Sequence, residues 1–217
     1  MQLKQSQGAK VSSFGNTVKA DFIWEALDNI DGYVSIKFKS QLIQSKLYGS
    51  YNASNLAATL SFGEIFSIPI DRGKKAVSNY NSTNNRSQLL SINETKYVLD
   101  AYNANPTSML AALSAFAKKP KVSKVVILGD MKELGSTAQV EHEEIATKCL
   151  NYNFEKIILI GEQFCSTSIE NERIKKFYDL NTFTKTFDQS NWNFNEVLIK
   201  GSRALQLERL IPFFKSL

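Results

Sequence analysis

The stretch D-A-Y-N-A-N-P, Asp100 to Pro106, gathers a carboxylate, a phenol and two carboxamides into one short segment. Groups of this kind can bind ribose hydroxyls, ligate a metal or cap a helix. Two of the residues need no function. Pro106 suits the first position of a helix, where its missing N–H costs nothing, and Asn105 before it can accept from the free backbone amides. Asp100, Tyr102 and Asn103 are left over. A carboxylate at a strand end beside a helix N-terminus can serve a ribose or a metal, or it can simply cap the turn. The residue types leave both readings open.

Other segments could do chemistry. Arg86, in N-N-R-S-Q, has the guanidinium fork that suits phosphate oxygens, or it is a solvated surface arginine. L-G-D-M-K-E-L-G (128–135), I-G-E-Q-F (160–164) and K-G-S-R (200–203) each follow an apolar run. His142 lies among Glu141, Glu143 and Glu144 and reads as a solvated or capping histidine on a solvated helix face. Gly129 and Gly135 read as turn glycines.

These segments need a scaffold that brings strand ends together. From Arg86 onward the pattern alternates strand and helix. S-Q-L-L-S-I and K-Y-V-L-D-A are short strands, and K-V-V-I-L-G and K-I-I-L-I-G are continuous apolar runs. Met109, Ala112, Leu113 and Phe116 recur at helical spacing. S-T-A-Q-V-E-H-E-E-I-A predicts a second helix, and N-E-V-L-I-K-G followed by S-R-A-L-Q-L-E-R-L-I-P-F-F repeats the strand-then-helix unit. Continuous apolar strands between helices predict an α/β fold: an open, mostly parallel, Rossmann-like sheet with helices on both faces. In such sheets ligands bind beyond the carboxyl ends of the strands, where all four segments fall. Residues 16–48 differ. They read as antiparallel strands, with turn chemistry at Asp28 to Gly32, and are followed by a helix over about 53–66 and a shorter one after Pro69. Pro69 and Gly73 mark a domain junction. The expected domains are 1–72 and 73–217.

Composition narrows the class. The chain has 217 residues, 43% of them hydrophobic, which suffices for a packed core. A net charge of +5, from 26 basic and 21 acidic residues scattered along the chain, predicts no nucleic-acid partner and suits a nucleotide equally well. Two cysteines outside any C-x-x-C pair and a single histidine argue against a zinc site and for free thiols in a reducing cytoplasm. No apolar run is long enough to cross a membrane, and the N-terminus lacks a signal-peptide core. No G-x-x-x-x-G-K-[ST] sequence occurs, so the chain carries no P-loop.

Three motifs in order, D-A-Y-N-A-N-P-T-S-M-L-A-A-L, V-V-I-L-G-D-M-K-E-L-G with E-H-E-E-I-A, and L-I-K-G-S-R-A-L-Q-L-E-R-L, resemble the C-terminal domain of the Mur ligase family, in its D-alanyl-D-alanine-adding branch. G-S-Y-N-A-S-N-L-A-A resembles the family segment G-x-H-N-x-x-N-x-x-A-A near the end of the central ATPase domain, with Tyr51 in place of the histidine. The resemblance runs from about residue 16 to the C-terminus.

It implies an ADP-forming carboxylate–amine ligase that uses ATP and Mg²⁺. A substrate carboxylate attacks the γ-phosphate to give an acyl phosphate, and an amine then displaces phosphate. The implied substrates are UDP-N-acetylmuramoyl-tripeptide and D-alanyl-D-alanine, in cytoplasmic peptidoglycan precursor synthesis, with a monomeric enzyme and no membrane partner. By motif, Asn55 would contact adenine and Asp100 the ribose, with Tyr102 and Asn103 lining the same cleft. Arg86 would be catalytic, reaching the ATP phosphates, and Asp130, Ser202 and Arg203 would hold the incoming amino acid. The resemblance further implies that the chain starts inside the central domain, whose P-loop and Mg²⁺ ligands lie before it, that no metal ligand lies in this chain, and that the chain alone does not catalyse the reaction. Two alternatives remain: a Mur-type ligase with another amine acceptor, of the folylpolyglutamate or cyanophycin kind, and a stand-alone binding module.

Overall fold

A computed structural model describes residues 11–17, 19–27, 32–118, 122–188, 190 and 192–216. Backbone contacts divide the chain into two units, Met1–Asn81 and Ser82–Leu217.

Among the described residues, the first unit is a four-stranded sheet with two helices. β1 (Phe14–Gly15) pairs in parallel with β2 (Phe22–Leu27), and β2, β3 (Tyr33–Phe38) and β4 (Gln41–Tyr48) run antiparallel. Lys39 and Ser40 join β3 to β4 with φ of 46° and 66°. That two-residue turn matches the twist of a hairpin. The turn expected at Asp28 to Gly32 lies, except for Gly32, outside the described residues. Helices α1 (Ala53–Ile65) and α2 (Ile70–Asn79) follow. Ala53, Leu56, Ala57 and Leu60 of α1 close over Val34, Ile36, Phe38 and Ile43 of the sheet. The expected boundary at 72/73 would cut α2. The whole helix belongs to the first unit: Val77 packs on this core, and the Ser78 hydroxyl donates to the Gln44 carbonyl at 2.6 Å.

The second unit is a six-stranded sheet in the order β5-β6-β10-β7-β8-β9. β5 (Gln88–Ile92) and β6 (Thr95–Asp100) form an antiparallel hairpin. β6, β10 (Glu196–Lys200), β7 (Lys124–Gly129), β8 (Lys156–Ile160) and β9 (Ile174–Phe177) are parallel. Every residue of β7 and of β10 is buried, as a parallel sheet covered on both faces requires. Tyr97, Leu99, Val125, Ile127, Ile158, Ile160, Val197 and Ile199 form one inner face, packed on Leu180 and Phe183 of α6 (Leu180–Lys185) and on Leu210 and Phe214 of α7 (Leu210–Lys215). The alternate residues Val98, Val126, Leu128, Ile157, Leu159 and Leu198 are buried too. The buried stripes of α3 (Pro106–Ala117) and α4 (Ala138–Leu150) account for that face. The expected open, mostly parallel α/β sheet is the one present.

The final segment differs from the helix expected over S-R-A-L-Q-L-E-R-L-I-P-F-F. Two 3₁₀ turns, Arg203–Leu205 and Leu207–Arg209, flank Gln206, whose φ is 50°, and α7 starts only at Leu210. Leu205 and Leu207 both pack on the core. Residues two apart cannot share a helix face, so the backbone breaks between them. The strand β9, the short helix α5 (Glu162–Cys165) and α6 went unpredicted; their sequences are short and mixed.

Both cysteines are free. Burial pushes the Cys149 thiol up to about 12 from an ordinary 9.0, with Arg173 opposing weakly. A thiol whose pKa is raised on folding stabilises the fold below its unfolded pKa and loses that contribution as pH rises toward the folded value. The window is therefore pH 9.0 to about 12, with a slope near 1.4 kcal/mol per pH unit. Denaturant midpoints measured across that window should fall more steeply for the native sequence than for Cys149→Ala. Equal slopes would contradict the assignment.

Candidate functional site

The carboxyl ends of β6, β7, β8 and β10 lie along one edge of the second unit's sheet, and two groups of polar residues gather there. The first is built on the segment after β6. Asn105 caps α3: its side chain accepts from the Ser108 amide at 2.8 Å, and the Ser108 hydroxyl accepts from the Asn105 amide at 3.1 Å. Pro106 is the first helical residue. Both therefore act as the helix start that their types predict.

Asp100 does something else. Its Oδ1 accepts from the Ser87 amide at 3.0 Å, and its Oδ2 lies 2.6 Å from the Lys200 ammonium. Lys200 also donates to the Asn103 carbonyl at 3.3 Å, while the Asn103 side chain folds back to accept from the Ala104 amide at 2.8 Å. Tyr102 is 44% exposed. Its amide donates to the Asn85 carbonyl at 3.2 Å, and its ring lies 3.7 Å under the Arg86 guanidinium. Asn85 and Ser87 take φ of 54° and 49°, left-handed values on both sides of Arg86. Such conformations are costly outside glycine and persist only where surrounding bonds enforce them. Here the enforcing bonds are Tyr102 to Asn85, Ser87 to Asp100, and Ser82, whose hydroxyl donates to the Arg86 carbonyl. The result is an exposed guanidinium lying flat on an aromatic ring, beside a mostly buried carboxylate. Arg86, Asp100, Tyr102 and Asn103 are thus brought together.

The second group surrounds the end of β7. Asp130 is only 2% exposed. Its carboxylate accepts from the Gln163 and Phe164 amides, both at 3.0 Å, and so caps α5. Gly161, with φ of 129°, is required there: a Cβ would sit 2.2 Å from the Asp130 carboxyl carbon. His142 is fully buried rather than solvated. Its Nε2 accepts from the Met131 amide at 2.9 Å, so Nδ1 carries the proton and donates to the Ala138 carbonyl at 2.6 Å. The histidine fastens the segment after β7 to α4. Gly129 is a close-approach glycine rather than a turn glycine, since a Cβ would meet Leu205 at 2.5 Å. Ser202 is buried, its amide donates to the Asp130 carbonyl at 3.1 Å, and its hydroxyl has no partner among the described residues. Arg203 is exposed and pairs with Glu208 at 2.7 Å. Asp130 and Ser202 are adjacent through backbone, yet Asp130 turns its oxygens into the protein.

Asn55 belongs to the first unit. It is exposed on α1, and its amide donates to the Asn52 side chain at 3.0 Å. Lys200 and Ser87 lie in the segments K-G-S-R and N-N-R-S-Q, but the sequence reading gave neither residue a role of its own. A lysine closing the apolar run V-L-I-K was the available signal. Among the described residues no cluster of three or more His, Cys, Asp or Glu side chains could hold a metal ion, and no helix is long and apolar enough to cross a membrane. A cavity of about 430 Å³ lies beside Lys156, Phe177, Phe183, Phe187 and Trp192. It shares no residue with either group. The strand ends remain the better candidate, because convergent polar groups rather than volume mark a site in this kind of sheet.

Comparison with known proteins adds to this geometry. Residues 85–194 match the family model described as Mur ligase, glutamate ligase domain. A curated relative from Treponema pallidum, named UDP-N-acetylmuramoyl-tripeptide–D-alanyl-D-alanine ligase, is 31% identical over 186 residues, covering 83% of this chain and 40% of the relative. A relative of the same name from Rickettsia prowazekii is 27% identical and covers 98% of this chain and 49% of its own. Among solved structures, a UDP-N-acetylmuramoylalanyl-D-glutamyl-2,6-diaminopimelate–D-alanyl-D-alanyl ligase from Acinetobacter baumannii superposes with a TM-score of 0.86 at 20% identity, over 99% of this chain and 48% of that one. A MurF ligase from Thermotoga maritima in complex with ADP gives 0.72 at 20% identity, over 94% and 48%. These structural likenesses speak for the fold. The chain spans about half the length of the curated relatives it matches.

Proposed function

The chain belongs to the Mur ligase family, and from that premise we propose that it forms the C-terminal part of an ATP-dependent ligase that adds D-alanyl-D-alanine to a UDP-N-acetylmuramoyl tripeptide. The observation that carries the reading is the convergence of Arg86, Tyr102, Asp100 and Asn103 at the sheet's carboxyl edge. It is supported by the shared name of the relatives from Treponema pallidum and Rickettsia prowazekii. The first unit is proposed as the end of the central ATP-binding domain, and the second as the domain that closes on the nucleotide.

The residues present fit a nucleotide. Asp100 offers a carboxylate to ribose hydroxyls, and Arg86 offers an exposed fork of N–H donors to phosphate oxygens. When bound, ATP would supply the phosphoryl group that converts a substrate carboxylate into an acyl phosphate. Arg86 would meet the negative charge that both steps develop, where a positioned cation contributes several kcal/mol. Tyr102 would hold the guanidinium flat and leave its N–H edge free. Asn55 is proposed for the adenine on its motif alone. For the dipeptide carboxylate, Ser202 offers a hydroxyl with no partner among the described residues and Arg203 a guanidinium that would exchange Glu208 for the ligand, whereas Asp130 would repel a carboxylate and its oxygens are occupied. Any Mg²⁺ accompanying ATP would take its ligands from outside the described residues. A cytoplasmic, monomeric enzyme is part of the same proposal.

The test is phosphate release from ATP by the protein that carries this chain. Release should require both the UDP-linked tripeptide and D-alanyl-D-alanine. Turnover with L-glutamate in place of the dipeptide would reassign the acceptor, and ATP binding with no turnover under any combination would favour a binding module.

A further inference from the structure

We infer that Lys200 is a positioning residue, holding the Asp100 carboxylate and the Asn103 backbone in place for the vicinal diol of a ribose. The inference rests on the nucleotide reading above and deepens it. β6 and β10 are parallel neighbours, and the register sets Lys200 directly beside Asp100 although 100 residues separate them. Leu99 and Ile199, one position earlier, both face the inner core. By alternation Asp100 and Lys200 therefore share the opposite face at the rim of the sheet. The ammonium is almost sealed, with 3% of the side chain exposed against 13% for Asp100. It is thus too enclosed to reach a ligand itself, while the carboxylate keeps an opening.

Stability does not explain the pair. Sealing two charges away from water costs as much as their attraction returns, and apolar residues at such positions are as good or better. Its geometry suggests why it is there. One carboxylate oxygen takes the Lys200 ammonium at 2.6 Å, and the other takes the Ser87 amide at 3.0 Å. Together these fix the carboxylate plane. Oδ2 retains a second lone pair, and Oδ1 gives its second only to the Ser87 hydroxyl at a long 3.5 Å, a contact that a ribose hydroxyl would displace, so two acceptors can stand side by side for two adjacent hydroxyl donors. The same ammonium reaches the Asn103 carbonyl at 3.3 Å and so fixes the segment that carries Tyr102.

The experiment is an amide chemical-shift titration of the 217-residue chain with ADP and with 2′,3′-dideoxy-ADP. The native chain should prefer ADP by about tenfold, the scale of hydrogen bonds to a charged acceptor. In Lys200→Met that preference should fall to within about twofold. Lys200→Gln retains a donor and should keep an intermediate preference. A native chain that ignores the diol, or binds neither ligand, overturns the nucleotide reading and this inference with it. A native preference that survives intact in folded Lys200→Met overturns the role of Lys200 alone. Unfolding of both variants would make Lys200 a requirement of the fold and overturn the positioning role.

Discussion

Asp130→Ala should destabilise the chain by about 3–6 kcal/mol, on the scale of two hydrogen bonds to a charged acceptor at about 1.5–3 kcal/mol each. The carboxylate is 2% exposed and takes the amides of Gln163 and Phe164, both at 3.0 Å. Phe164 is itself fully buried, so its amide has no water to turn to when the acceptor is removed. The Gly161 backbone leaves room for this carboxylate and little else. Asp130→Asn keeps one carbonyl acceptor but aims an NH₂ at the other amide, and should lose about half as much. Urea unfolding of the three chains reads the difference. A loss below about 1 kcal/mol in the alanine variant would show that the cap is dispensable. The carboxylate would then be better explained by a ligand.

That case shows where sequence and structure part company. G-D at the end of an apolar strand is the same two letters whether the aspartate faces a substrate or caps the next helix. Only the position of β8 beside β7, which brings the Gln163 and Phe164 amides up, separates the two. His142 is the same problem reversed: its glutamate neighbours suggest a wet face, and its burial comes from the Met131 segment folding over α4. Lys200 needed the strand order, because nothing local says that β10 inserts between β6 and β7. What was legible is what local physics decides. Continuous apolar strands declare a parallel sheet. Asn105 and Pro106 declare a helix start, and Met109, Ala112, Leu113 and Phe116 declare its buried stripe. The broken C-terminal helix was illegible because Leu205 and Leu207 obey the core rather than a local period.

Arg86→Ala should lower phosphate release by about 100- to 1,000-fold, the range for removing one donor aimed at developing charge. Tyr102→Leu should lower it by only about two- to fivefold, because a cation–π contact at an exposed site is worth about 0.5–1 kcal/mol. The ordering is the informative part. The Arg86 guanidinium stacks 3.7 Å from the Tyr102 ring, and both residues are exposed. If the pair were only a surface contact, the two substitutions would have similar, small effects. If Arg86 meets phosphate and Tyr102 merely steadies it, the arginine dominates. Arg86→Lys separates charge from shape. An ammonium keeps the charge but neither stacks flat nor offers a fork, so it should recover only part of the loss. The assay is single-turnover, acid-quenched phosphate formation with saturating dipeptide, which reports the phosphoryl and amine-attack steps together, free of product dissociation. Equal rates for Arg86→Ala and the unsubstituted protein that carries this chain would remove Arg86 from the reaction. A lysine variant as fast as the unsubstituted protein would leave charge alone as its contribution, and the left-handed turn at Asn85 and Ser87 that aims the guanidinium would need another explanation.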